Sequence, residues 1–371
     1  MDFGSIQSVY HNDNQISRDF LHNIQFVIDN KYKFSYLVEK FMRKGIIELD
    51  ASIISSGNVV GKKEFEGPLG ERFDVHGDDD RFGKPTWEKA ESEMQRMALN
   101  LALKKAELGN EDIGALFAGD LLNQCIGSSY GLLGSMIPYF GIYGACSTAG
   151  EGIMLAATMT THKIFKRCAA VTSSHNCSAE RQYRTPIEYG GQRTPTSQWT
   201  VTGSGAFIIG DRDAGKVKIK AGMPGRVIEK GINDANNMGA AMAPAICDTL
   251  CRYFSESCTN PEDYDLIVTG DLGHEGASIL KEITNAEGYK LGDNYTDCGI
   301  LIFDKENQDT HSGGSGCGCS ASVLSAYVLP EMVNETFKKV LFVASGAMMS
   351  PDSIKQGESI PAVGHLLLFE A

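Results

Sequence analysis

The sequence predicts an α/β fold on a largely parallel sheet, built twice along the chain. Three observations carry this. Short apolar runs alternate with longer amphipathic stretches, the pattern of strands joined by crossover helices. Two apolar runs end on the same tripeptide, ALFAGDLLN at 115–123 and LIVTGDLGH at 266–274. Two further pairs follow in the same order: IYGACSTAG (142–150) with GGSGCGCSA (313–321), and RCAAVTSSH (167–175) with KVLFVASGA (339–347). One shared tripeptide is weak, but an ordered set argues for internal duplication. The halves are then 51–214 and 215–371, preceded by an extension at 1–50.

Each element has its own signal. In the extension, Phe34, Leu37, Val38, Phe41 and Met42 form one helical stripe, and Phe20, Leu21, Ile24 and Val27 a second. Strands are predicted at 51–60, 113–118, 139–143, 168–172 and 206–210, with helices at 86–108 and 146–161. The first helix stops at Gly109-Asn110, a helix-ending pair. The long Gly/Thr/Arg-rich stretch 173–204 reads as a loop. In the second half, strands are predicted at 216–221, 264–269, 299–303, 340–344 and 365–369, with helices at 243–255, 277–286 and 317–329.

Composition removes several classes of function. The 371 residues include 41 glycines but only 11 prolines, without a G-X-Y period, so collagen and disordered linkers are excluded. A net charge of −13 disfavours nucleic-acid binding and long-range steering of an anion, so any anion must be held by local donors. No apolar run approaches the ~20 residues that span a bilayer. MDFGSIQSVYHNDNQ lacks the basic and apolar regions of a secretory signal. The ten cysteines form no C-x-x-C, so free thiols in a reducing compartment are expected and no metal site is. No dinucleotide or P-loop motif is present, and no cofactor is predicted.

The sharpest chemical feature is Gly144-Ala145-Cys146-Ser147-Thr148. Cys146 is predicted at a helix start, where the dipole lowers a thiol pKa and suits a nucleophile. A small buried cysteine at a tight turn fits the same residues. His175 and Asn176 follow a neighbouring strand and should reach the pocket rim. Arg181, Arg184 and Arg193 lie in the predicted loop, as anion ligands or as surface or interface ion pairs. Asp120 and Asp271 end equivalent strands, as ligands or as helix caps.

Several long strings make the chain resemble a known family: AGDLLNQ (118–124), FGIYGACST (140–148), TSSHN (172–176), AERQYRTPIEYGGQRTPT (179–196), TVTGSGA (200–206), GRVIEKGINDANNMGAAMAPA (225–245), TGDLG (269–273), GGSGCGCSA (313–321) and SGAMMSP (345–351). Over about residues 51–371 they resemble the stage V sporulation protein AD family, of the thiolase fold. The resemblance implies two duplicated βαβαβαββ halves in an α-β-α-β-α layering, and a homodimer. It also implies binding of dipicolinic acid (pyridine-2,6-dicarboxylate) and its calcium chelate. Membrane-embedded partner proteins of the same operon would share the task of moving dipicolinate into the developing spore and out in germination. The protein would lie in the forespore and spore, peripheral to the inner membrane.

Enzymes of that fold pair the cysteine with His/His or His/Asn from the second half. Here the corresponding positions read Gly270-Asp271-Leu272 and Gly314-Ser315-Gly316, with His274 and His311 nearby. A site lacking both partners loses most of its rate, each such donor being worth about 10²–10³. The expectation is a former active site turned to binding, with Cys146, His175, Asn176, Asp120, Arg181, Arg184, Arg193, Asp271 and Ser315 as ligand contacts and calcium as a counter-ion. The alternatives are an acyltransferase using Cys146 and a dimeric scaffold for membrane partners.

Overall fold

The computed structural model describes residues 45–183 and 193–371. The helices expected before residue 45, and Arg184, lie outside the described residues. The first five strands are β1 (Ile47–Val60), β2 (Ala115–Gly119), β3 (Tyr139–Gly141), β4 (Arg167–Ser174) and β5 (Gly203–Asp211). The next five are β6 (Val217–Met223), β7 (Leu266–Thr269), β8 (Tyr295–Asp297), β9 (Lys339–Ala347) and β10 (Ala362–Glu370). Their order across the sheet is β3-β2-β4-β5-β1-β6-β10-β9-β7-β8. Adding five to each label of the first half and reversing the order yields the second half, so the duplication is written in the topology. β2 is parallel to β3 and β4, and β7 is parallel to β8 and β9. β5 and β10 run antiparallel to their neighbours.

The main helices are α1 (Trp87–Ala106), α2 (Thr148–Thr161), α3 (Asn176–Tyr183), α4 (Met238–Ser257), α5 (Gly273–Ala286) and α6 (Cys317–Val323). α2 packs on strands of both halves, and α6 packs beside it on β4 and β5. These two form a central helical layer between the two arms of the sheet. α1 covers the outer face of β1, β4 and β5, while α4, backed by α5, covers β9 and β10. The layering is therefore helix, sheet, helix, sheet, helix, as expected for the fold class. A helix buried on all sides needs small residues, and TAGEGIMLAATMTT supplies them. A Cβ on Gly150 would stand 2.6 Å from the Ala344 Cβ of β9.

Local signals explain most elements. Thr86 caps α1 by accepting from the Lys89 amide (3.3 Å), and Glu107 ends it in the left-handed conformation. Ala90, Met94, Ala98 and Ala102 are its buried stripe.

Five expectations need correction. The sheet is mixed rather than largely parallel: five of the nine pairings along it are antiparallel, because β1, β5, β6 and β10 meet in its middle as antiparallel neighbours. The predicted strand at 299–303 is a helical turn, Cys298–Leu301, because the Asp297 side chain accepts from the Gly299 amide and turns the chain. The predicted loop 173–204 contains α3 and a two-residue strand, Trp199–Thr200, paired with Gly314–Ser315. Cys146 does not start a helix, since α2 begins at Thr148 with Ser147 as its cap residue. β1 begins at Ile47, inside the stretch assigned to the extension.

Candidate functional site

The carboxyl ends of β2, β3, β4, β7 and β9 converge on a cleft over Cys146. Ala145 takes a positive φ of 50° and lifts the Cys146 loop out of the strand direction. Ser147 Oγ donates to the Gly144 carbonyl (2.6 Å) and Thr148 Oγ1 to the Ala145 carbonyl (2.6 Å). Tyr143, Ala145, Cys146, Ala179, Glu180, Tyr183, Thr200 and Ser315 contribute to the walls. Its volume is about 40 Å³, room for water rather than a substituted ring. Tyr183 donates to the Leu121 carbonyl (2.5 Å), and its oxygen meets the Tyr143 hydroxyl at 2.7 Å, so two tyrosines close one side.

The second half reaches Cys146 through the two positions where the resemblance places an enzyme's catalytic partners. Asp271 is fully buried and accepts from Gly316 N (2.7 Å), Ser345 Oγ (2.7 Å) and Ser315 Oγ (3.1 Å). Its negative charge also bears on the neighbouring Cys146 thiol. Burial, then the Asp271 charge, push the Cys146 thiol well above its ordinary range. The thiolate that a helix start would favour is thus disfavoured. Burial also raises the Asp271 carboxyl, while the hydrogen bonds from Ser345, Gly316 and Ser315 oppose the rise. Cys317, the counterpart of Cys146 in the duplication, packs against it with Leu121 and Ala179.

The other predicted residues divide. Asp120 faces inward, accepting from Leu122 N (2.8 Å) and from the Ser128 amide (2.7 Å) and hydroxyl (2.5 Å). It ties down the turn after β2 and lines neither cleft described here. Its neighbour Glu91, on α1, accepts from Ser173 and Ser178, and burial raises its carboxyl to about 8. His175 is fully buried, with Nε2 2.7 Å from the Asp80 carbonyl and Nδ1 accepting from Cys177 N. It braces the 80s loop away from the Cys146 cleft, and burial lowers its pKa. His274 lies in the first turn of α5 and His311 pairs with Asp309 at 3.1 Å; neither lines the Cys146 cleft.

Asn176, Arg181 and Arg193 come together in a second, outer cleft of about 330 Å³, with Trp87, Cys177, Glu180, Gln198 and Trp199. Arg181 pairs with Glu88 and lies 5.3 Å from the Trp87 ring centroid. Arg193 pairs with Asp309 (3.1 Å) and lies 5.0 Å from the Trp199 centroid. The strand Trp199–Thr200 is the shared wall, since successive side chains point oppositely: Trp199 lines the outer cleft and Thr200 the inner. Glu180 borders both, where Thr200 Oγ1 donates to it (3.2 Å). Sequence reasoning missed the tryptophans, Gln198, Tyr143, Tyr183 and Glu180. The one available signal was rarity, for the chain holds only two tryptophans.

A duplicated five-layer fold with a cysteine at the seam of its halves defines the thiolase-like class. Solved structures agree on the fold. A 3-oxoacyl-[acyl-carrier-protein] synthase III from Aquifex aeolicus superposes with a TM-score of 0.52 at 14% identity, covering 86% of this chain and 100% of its own. A variant of OleA from Xanthomonas campestris superposes at 0.56 and 14% identity, covering 87% of this chain and 98% of its own. The chain belongs to the stage V sporulation protein AD family, whose model matches residues 43–370. It is 41% identical over 325 residues to stage V sporulation protein AD of Bacillus subtilis (strain 168), covering 88% of this chain and 96% of that relative. Its role is therefore in sporulation.

Proposed function

We propose that this protein binds dipicolinate and its calcium chelate without catalysis. It does so as the peripheral component of a membrane assembly that loads the developing spore and empties it in germination. One observation carries the non-catalytic part: the Cys146 thiol is buried under the influence of a buried carboxylate, Asp271, which raises it further, and Ser315 occupies the other partner position. A carboxylate beside a thiol opposes the thiolate, and Asp271 already accepts hydrogen bonds from three fixed donors, so it is poorly placed as a base. Dipicolinate itself is implied by the family. Calcium, in this reading, arrives as the ligand's counter-ion and offsets the charge of −13. Membrane attachment runs through partners, since no described helix is long and apolar enough to cross a bilayer. A homodimer formed on β3 belongs to the same reading.

Titration calorimetry with dipicolinate, with and without calcium, is expected to show saturable binding, and its absence overturns the reading. Incubation with acyl-coenzyme A followed by intact mass is expected to leave Cys146 unmodified. An acyl adduct there would favour the acyltransferase alternative instead.

A further inference from the structure

The outer cleft has features that the Cys146 cleft lacks. It has the volume of a small-ligand site, which typically starts near 300 Å³. Two indole rings line it, each with a guanidinium near its face. Two of its lining residues each carry a buried polar atom with no hydrogen-bond partner: Arg193 Nη1, a donor, and Gln198 Oε1, an acceptor. Gln198 is 3% exposed, and its amide nitrogen is fully used, donating to the Asp271 carbonyl (2.7 Å) and the Gly314 carbonyl (2.8 Å). That fixes the amide's orientation and leaves Oε1 as an unfilled acceptor. Buried polar atoms are rarely left unpaired, and those that are call for a missing partner.

We propose that this outer cleft is a binding site for a planar aromatic carboxylate, with the Arg193 guanidinium taking the carboxylate and Trp87 and Trp199 flanking the ring. The salt bridges of Arg181 to Glu88 and of Arg193 to Asp309 hold the guanidinium groups beside the indole rings. An incoming anion is then recognised by a positioned guanidinium rather than by net charge. This suits a protein whose overall field repels anions. Gln198 also joins this cleft to the Asp271 and Ser315 turn, so occupancy is felt at the Cys146 site. The proposal deepens the dipicolinate reading and rests on it only for the identity of the natural ligand.

Both tryptophans of the chain lie in this cleft, so intrinsic tryptophan emission reports on it directly. Dipicolinate and isophthalate, which keeps the two carboxylates but lacks the ring nitrogen, are titrated with absorbance correction, alongside calorimetry. Saturable quenching by both is expected, with a share lost in Trp87→Phe and in Trp199→Phe. In Arg193→Gln, shown to be folded by its unchanged melting temperature, affinity is expected to drop about tenfold or more. Calorimetric binding of dipicolinate with tryptophan emission and Arg193→Gln affinity both unchanged overturns the cleft and leaves the dipicolinate reading standing. Saturable quenching by isophthalate without any dipicolinate binding supports the cleft and overturns the dipicolinate reading. No saturable response to either compound overturns the cleft.

Discussion

At the scale of single residues, the chemistry turns on what faces the Cys146 sulfur. In a nucleophilic site a thiol faces a base or a cation, whereas here it faces Asp271. Removing that negative charge should lower the thiol pKa. The expected outcome for Asp271→Asn is a pH profile of Cys146 alkylation displaced to lower pH than wild type, read by mass spectrometry of the labelled peptide. An unchanged profile would mean that burial alone sets the thiol. Cys146 and Asp271 were legible as neighbours because each follows a strand end and parallel strands deliver their carboxyl ends to one place, whereas Ser315 was placed beside them only by the resemblance. His175 and Asp120 carry the same signal yet face inward, because neighbouring loops supply closer partners, the Asp80 carbonyl and Ser128. Strand position shows which end of the sheet a residue occupies, but not which way its side chain turns.

Among the elements, α1 carries a burden that its amphipathic pattern does not announce. Its buried stripe includes Glu91 and Gln95, whose partners Ser173, Ser178 and Ser128 belong to other elements. The cap that starts this helix is a single side chain, so Thr86→Ala should cost about 1 kcal/mol, measured as a lower denaturation midpoint with unchanged slope. The turn Gly314–Gly316 is a second fixed point. Gly316 sits at φ 101°, and a Cβ there would lie 2.7 Å from Ser174 Oγ. Gly316→Ala should destabilise the fold by about 1–3 kcal/mol, the cost of a strained backbone, seen in the same unfolding experiment. The glycine turn was readable from its residues, whereas the helical turn at Cys298–Leu301 was not. A short apolar run after Asp297 serves as strand or helix until the cap is known.

At the scale of the whole molecule, buried carboxyls set the response to pH. Burial raises Glu64 and Glu91 from 4.5 to about 8 in the folded protein. Between those values the folded state holds protons that the unfolded state has released. The stability these two carboxyls contribute is therefore fully present below the unfolded value and is lost as pH rises towards about 8. The melting temperature should drop across that window, and Glu64→Gln, which keeps the acceptor for the Thr202 amide, should flatten the decline. Proportional loss in both proteins would remove Glu64 from the account. The two sheet edges also differ. Tyr295 and Asp297 of β8 are buried, whereas all of β3 is exposed, beside Leu133 (78% exposed) and Met136 (91% exposed). A bare apolar edge strand invites a second copy. Phe140→Asp should shift the protein from dimer to monomer in sedimentation velocity, and a wild-type monomer at micromolar concentration would remove the dimer from the proposed reading.

The sequence by itself determined the α/β class, the duplication, and the arrival of Cys146 and Asp271 at one end of the sheet, and its long matching strings pointed to the family. The first three follow from local periodicity, turn residues and ordered repeats, which are properties of neighbouring residues. Only the tertiary structure decided that the Asp271 charge bears on a buried Cys146 thiol, that His175 and Asp120 serve the framework, and that Trp87 and Trp199 share a cleft with Arg181 and Arg193. Trp87 and Trp199 are separated by more than a hundred residues of chain. Their meeting is set by the packing of α1 and α3 and by the pairing of Trp199–Thr200 with Gly314–Ser315, contacts that no local pattern encodes.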